Sequence, residues 1–462
     1  VKAYLLVDFG STYTKLTCVD LDDEYIIGTA KAPTTVLTNV LDGYEKALSY
    51  LISDHPEITE IEGISACSSA AGGLKMAAIG LIEELTVEAA KRACLGAGAL
   101  VTKVYSHHMT NDEAKELVDS DIDIVLLAGG TDGGNKECII HNAKKIAQVK
   151  LKVPIIVAGN KDARDEIKSI FDEANIEYVI VKNVMPKLKK LDVAEAKHAI
   201  RSIFIDKIIE AKGIKKAQER IKDIIMPTPE AVLKAAELLS NGYEDEEGYG
   251  ELIVIDIGGA TTDVHSVGKG NPKRTEVIMK GLEEPFAKRT VEGDLGMRYS
   301  ANALLSLVSD YEFKHYFDEN DTCNHNIETS LKRRTKKVEF IPRTKDEDEF
   351  DKAIAKICAD VSMSRHVGQI EVVHTPLGDM FYQTGKDLSG VKYVIGTGGV
   401  LINHKDAKQI LKHVTKKSAR TLELRPENPS ILIDRSYIMA AMGLLSQSYP
   451  KTALKLLKQY LL

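Results

Sequence analysis

Two stretches, one in each half of this chain, say nearly the same thing, and that repetition constrains the fold more than any other feature. In Leu252-Ile-Val-Ile-Asp256-Ile-Gly258-Gly259-Ala260-Thr261-Thr262-Asp263-Val-His265-Ser266 an apolar run ends at a carboxylate. A glycine pair, hydroxyls and a second carboxylate follow. The run is too short and too β-branched for a helix, so it predicts a buried strand. Gly258 and Gly259 permit a tight turn and let backbone N–H groups come close to an anion. A strand that delivers an acid to such a turn can hold a polyphosphate and its magnesium; strand–Gly-Gly–strand is also ordinary hairpin chemistry. Near the N-terminus, Ala3-Tyr-Leu-Leu-Val-Asp8-Phe-Gly10-Ser11-Thr12-Tyr-Thr14-Lys15 repeats the pattern. Superposing Asp8 on Asp256 puts Gly10 on Gly258, Ser11 on Gly259 and Lys15 on Asp263. Each copy reads as strand, turn, strand, with a third strand expected over Tyr25–Lys31 and Thr275–Lys280. Two such copies in 462 residues predict a duplicated pair of α/β lobes rather than a short-period repeat.

Composition narrows the function. A length of 462 residues exceeds one core. The apolar share of 44% and charged share of 28% are those of a globular protein. A net charge of −7 gives no support to nucleic-acid binding or to an anionic membrane surface. No apolar run reaches the ~18–20 residues of a membrane span, and the N-terminus enters a strand without a signal-peptide pattern. Six scattered cysteines, with no C-x-x-C, read as reduced packed thiols, and the expected compartment is the cytoplasm.

Between the copies the chain alternates. A helix is expected over Thr38–Ser53, a strand over Ile61–Cys67 and a helix over Val87–Leu95. The apolar strand Ile122–Ala128 runs into Gly129-Gly130-Thr131-Asp132-Gly133-Gly134-Asn135, and a glycine loop there is a site signal for an open α/β sheet. A strand–helix–strand unit follows over Pro154–Val181. Three helices are expected over Asp192–Lys212, Ile214–Ile225 and Pro229–Ser240. The acidic stretch Glu244–Gly250 is the expected boundary, giving a first lobe over 1–245, a second over 250–430 and C-terminal helices over 431–462. A glycine-punctuated segment, Glu292-Gly-Asp-Leu-Gly-Met-Arg298, precedes a helix expected from Ser300. A third turn, Gly396-Thr397-Gly398-Gly399, ends the apolar strand that starts at Tyr393. His107-His108, His265 and the Cys323-Asn-His325 triplet have metal-capable side chains without partners at ligand spacing, so they read as loop or packing residues. There is no Walker A, GxGxxG or HExxH pattern.

Three strand-ending turns in this order resemble the actin-like ATPase superfamily of sugar kinases, heat-shock chaperone ATPases and exopolyphosphatases. The resemblance implies a duplicated, ribonuclease H-like α/β fold with a nucleotide cleft between two lobes. In that superfamily the first two turns clasp phosphates and the third holds the adenosine and α-phosphate. Carried over, Gly10, Ser11, Thr12, Thr14, Gly258, Gly259, Ala260, Thr261, Gly396, Thr397, Gly398 and Gly399 bind ATP or ADP; Ala260 stands where many members keep a third glycine. Asp8 and Asp256 hold Mg2+, which keeps most of its waters and takes one or two carboxylates. Lys15 adds a point charge at the β/γ end, and Asp132 orients the attacking water, with Asp256 and Asp263 as rivals.

Nearly end to end, the chain also resembles one branch of that superfamily: the accessory proteins encoded with adenosylcobalamin-dependent glutamate mutase, called MutL and unrelated to mismatch repair. Besides the three turns, the resemblance runs through Cys67–Lys75, Leu127–Asn135, Met226–Val232 and Glu292–Arg298. It implies a weak Mg-dependent ATPase that reactivates a cobalamin-dependent mutase, with mutase subunits as partners and an oligomer possible. A small-metabolite kinase and a nucleotide-dependent scaffold are the rival functions.

Overall fold

The computed structural model describes residues 1–10, 13–34, 40–69, 74–211, 225–318 and 326–462. Ser11, Thr12, Cys323, His325 and nearly all of the helix expected over Ile214–Ile225 lie outside them. The chain forms two compact units. The first comprises Val1–Lys234, Gly281–Glu283 and Ala440–Leu456; the second comprises Ala235–Lys280, Glu284–Met439 and Leu457–Leu462. The division therefore falls inside the helix Thr228–Asn241, ahead of the acidic stretch where the sequence places it.

In the first unit, β1 (Lys2–Phe9) pairs antiparallel with β2 (Tyr13–Asp20), which pairs antiparallel with β3 (Tyr25–Pro33). On the other side β1 runs parallel to β4 (Glu60–Ser68). The chain then builds a second sheet from β5 (Lys75–Gly80), β6 (Leu100–Ser106), β7 (Ile124–Leu127), β8 (Ile155–Val157) and β9 (Tyr178–Ile180). It returns through β10 (Ile225–Pro227), parallel to β4. The first sheet has the order β10-β4-β1-β2-β3. Apolar residues on one face of β1 and β2, among them Leu5, Val7, Leu16 and Cys18, pack with Tyr44, Ala47 and Leu51 of the helix Val40–Asp54. The inserted sheet is wholly parallel, in the order β6-β5-β7-β8-β9. That is the doubly wound order in which the second strand lies outside the first. A core of its own, including Ile139, Ile146, Ile155 and Phe171, shows it to be an independent layer.

After a short hairpin of β11 (Gly242–Tyr243) and β12 (Glu246–Glu247), the second unit repeats the first sheet. β13 (Leu252–Ile257) pairs antiparallel with β14 (Thr262–Val267). The next strand, β15 (Val277–Lys280), is the one expected to join them, but it joins a separate three-stranded sheet. The third strand is instead β16 (Ala287–Glu292), antiparallel to β14. Its Lys288-Arg289 pair makes it look like a loop in the sequence; in the fold Arg289 is buried against a carboxylate of β14. β17 (Gln369–Thr375) and β18 (Gly378–Thr384) complete the small sheet with β15. β19 (Tyr393–Thr397) then runs parallel to β13, and β20 (Ser430–Ile433) parallel to β19. The order β16-β14-β13-β19-β20 reproduces the first sheet strand for strand in order and direction. The 22-residue helix Lys345–His366 covers it, packing Ile354, Ile357 and Cys358 against Ile253, Ile255 and Val264.

Candidate functional site: three strand-ending turns

The two Asp-Gly turns are built alike. In the first, Gly10 N donates to Tyr13 O at 3.1 Å; in the second, Gly258 N donates to Thr261 O at 2.9 Å. A side chain on Gly10 would put its Cβ 2.6 Å from Tyr13 O, which is why the position is glycine. The register agrees as well: Asp8 lies opposite Lys15, and Asp256 lies opposite Asp263. The equivalence of Lys15 and Asp263 drawn from the sequence is thus the one the strands make.

Around the first turn, Asp8 is buried at 7% exposure, and the Thr228 hydroxyl donates to its Oδ1 at 2.7 Å. The Cys67 thiol lies 3.5 Å from the same oxygen. Burial and then the charge of Asp8 push that thiol well above its ordinary pKa, so it stays a neutral donor. Lys15 is half-buried on the strand face opposite Thr14. Thr14 is fully buried, its hydroxyl 3.2 Å from that of Thr34, which donates to Gly10 O at 2.8 Å. Thr14 therefore braces the turn from below, where the sequence expectation has it reaching for phosphate.

The second turn is closed by charge. Asp263 is buried, and Arg289 grips its Oδ1 through Nε at 2.7 Å and a terminal nitrogen at 2.5 Å. Thr261 donates to the other oxygen at 3.2 Å. The ion pair ties β14 to β16 at the base of the turn. His265, two residues on, is fully buried with no hydrogen bond at either ring nitrogen, and burial lowers its pKa to about 3. Gly259 and Ala260 are exposed, and the nearest atom to a Cβ on Gly259 would be 3.7 Å away, so the tip of the turn is open.

The third turn crosses the second. Asp256 is in register with Thr397, the residue before Gly398. Gly398 has φ +92°, and a Cβ there would stand 2.5 Å from Asp256 Oδ1 and 2.4 Å from Ile257 O. Only glycine lets the two turns touch. Gly396 is packed by Leu401 and Leu411, whereas Gly399 faces open space. Thr397 donates to Asp434 at 3.0 Å, and Asp434 also accepts from Ile438 N and Met439 N. Asp434, Thr228 and Arg289 all escape a sequence reading, because each acts on a residue far along the chain or reads as a surface charge.

Asp132 belongs to the glycine loop of the first unit. It follows β7 of the inserted sheet, where its Oδ1 accepts from Lys161 N and Asn183 Nδ2, both at 3.0 Å. Asn160 Nδ2 adds bonds to Gly134 O and Asn135 O, and Asp162 takes Gly133 N. The glycine loop is stitched to its neighbours, and Asp132 takes part in that stitching. Among the described residues no group of three His, Cys, Asp or Glu side chains is placed to hold a metal ion.

Two sheets of identical order, each with an Asp-Gly turn between its first two strands and the second with a glycine turn against it, define a duplicated actin-like α/β protein. The family model described as "MutL protein" matches residues 4–461, so the chain belongs to that family. It is 52% identical over 463 residues to "Protein MutL" of Clostridium tetanomorphum, covering 100% of this chain and 99% of the other. Among solved structures it is similar to a xylulose kinase from Lactobacillus acidophilus, at 11% identity and a TM-score of 0.36, covering 99% of this chain and 92% of that one. A glycerol dehydratase reactivase is similar at 9% identity and a TM-score of 0.34, covering 96% and 99%. No helix among the described residues is long and apolar enough to cross a membrane.

Proposed function

We propose that this chain binds and slowly hydrolyses ATP, and that it uses the cycle to reactivate an adenosylcobalamin-dependent mutase such as glutamate mutase or an aminomutase. The observation that carries the nucleotide part is the repeated Asp-Gly turn, in the same register at the same place in two sheets of the same order. In this reading each Asp-Gly turn receives phosphate through its backbone N–H groups, and the Gly396–Gly399 turn takes the adenosine side. Asp8 and Asp256 position magnesium through its waters, and the metal supplies charge neutralisation at the β- and γ-phosphates. Lys15 adds the cation. Asp256, at the end of β13 and in register with Thr397 of the third turn, is the carboxylate that orients water in this reading.

The reactivation part rests on membership of the family and on chemistry. Radical enzymes that lose their adenosyl group stay blocked by tightly held cobalamin, and nucleotide-driven exchange relieves such a block. The test is turnover of a mutase inactivated with cobalamin that lacks its adenosyl group, after addition of this chain and fresh adenosylcobalamin, with and without ATP. Restored turnover that requires ATP is expected. ATP hydrolysis without restoration would remove the client, and a phosphorylated small molecule would make the protein a kinase.

A further inference from the structure

The conformation of the second turn is imposed from outside it. Three successive carbonyls, those of Gly258, Gly259 and Ala260, are all occupied by donors from one later segment. Met297 N donates to Gly258 O at 3.0 Å and Arg298 N to Gly259 O at 2.8 Å. The Ser300 hydroxyl donates to Ala260 O. Just past the turn, the Thr262 hydroxyl donates to Leu295 O at 2.9 Å. The contact is close: a Cβ on Gly296 would lie 2.7 Å from Gly259 O and from the Ala260 carbonyl carbon. A turn that meets phosphate through its N–H groups must keep its carbonyl oxygens, which carry partial negative charge, pointed elsewhere. Occupying all three does that.

The segment is itself clamped at both ends to the helix Lys345–His366. At one end Arg365 pairs with Glu292 at 2.6 Å and with both oxygens of Asp294 at 2.7 and 2.9 Å. At the other, Arg298 donates to Phe340 O at 2.8 Å and to Asp351 Oδ2 at 2.7 Å. Asp351, buried at 4% exposure, takes Arg334 on its second oxygen at 2.5 Å. The two clamps are about 21 Å apart along the helix, at ~1.5 Å per residue. Leu295 and Met297 are buried between them.

We infer that Glu292–Ser300 is a latch that holds the second turn in its anion-receiving form, with Arg298 as a positioning residue that never touches the nucleotide. This rests on the ATP reading above. Its consequence is that ATP affinity depends on side chains that act through the carbonyls of the turn.

The experiment is ATP titration of the full chain and of Arg298→Gln and Ser300→Ala. Ser300 lies at the surface and its substitution leaves the core intact. Lys417→Gln, which breaks a partly buried pair with Asp360 of the same helix without touching the latch, is the control. ATP affinity should fall about tenfold in Ser300→Ala and further in Arg298→Gln, the scale of one positioned hydrogen bond. Lys417→Gln should bind as the parent does, although it melts earlier. Parent-like affinity in both latch variants overturns the latch and leaves the ATPase reading standing. An equal loss in Lys417→Gln also overturns it, by making the effect one of general stability. A parent protein that binds no ATP overturns the ATPase reading and the latch with it.

Discussion

Across the first hairpin Asp8 faces Lys15, and across the second Asp256 faces Asp263. Same register, opposite charge: the first hairpin sets a lysine across from its carboxylate, whereas the second sets two carboxylates across from each other and must neutralise one. It does so with Arg289 from β16. The supports differ in the same way. Below the first turn two threonine hydroxyls are linked and one of them holds a single carbonyl. Behind the second, three carbonyls are held by a segment with ionic anchors. A duplicated fold thus keeps its strand order while its two turns become stiff by unrelated means. The first hairpin carries a lysine at the position where the second carries a carboxylate held by Arg289.

The contrast is broken most severely at Asp263. Asp263→Ala leaves Arg289 buried without its partner and should cost about 3–5 kcal/mol of stability, read as a lower urea midpoint. Lys15→Ala, at a half-buried rather than a buried position, should lower that midpoint less and weaken ATP binding. If the two variants behave alike, the division of labour between the turns is wrong.

Acid should also separate the units. Among the described residues the histidines with clearly lowered pKa values, His265, His366 and His413, all belong to the second unit. Burial is the main cause in each, bringing His265 to about 3 and His413 to about 4 from 6.5. The unfolded chain therefore takes up these protons before the folded one. Stability is complete above pH ~6.5 and is lost as pH falls toward the folded values. At pH 5 His265 alone should account for about 2 kcal/mol, and His265→Leu should flatten the urea midpoint between pH 7 and 5.

The glycines offer a smaller effect. Gly398→Ala, at φ +92° and against the Asp256 carboxylate, should cost about 1–3 kcal/mol and displace Asp256. Gly399→Ala meets nothing and should be tolerated. Smallest, Thr228→Val removes one hydrogen bond to Asp8 and should cost about 1 kcal/mol, with a larger fall in hydrolysis than in melting temperature.

These comparisons also show why the sequence was readable in some places and not in others. The turns announce themselves because an acid, glycines and hydroxyls must be adjacent in the chain to make a tight turn. The strands beside them show their period of two, down to the agreement of Lys15 with Asp263. What fails is whatever depends on distant pairing. Val277–Lys280 looks like the third strand of the second copy, yet Ala287–Glu292 takes that place, its charges disguising a buried ion pair. Asp132 sits in a glycine loop as convincing as the others, but its partners are Lys161 and Asn183 from the next two loops. Thr228 reads as part of a helix start, and only the fold brings its hydroxyl to Asp8. Glu292–Arg298 is visibly glycine-punctuated, and nothing in it names the turn it holds.

The most direct test of the proposal that each Asp-Gly turn serves ATP hydrolysis is the steady-state rate of Asp8→Ala and of Asp256→Ala, each measured beside the parent with magnesium. Both single variants should lose roughly a hundredfold or more, although each leaves the other turn untouched. A near-parent rate in either variant would contradict the account, because one turn would then suffice.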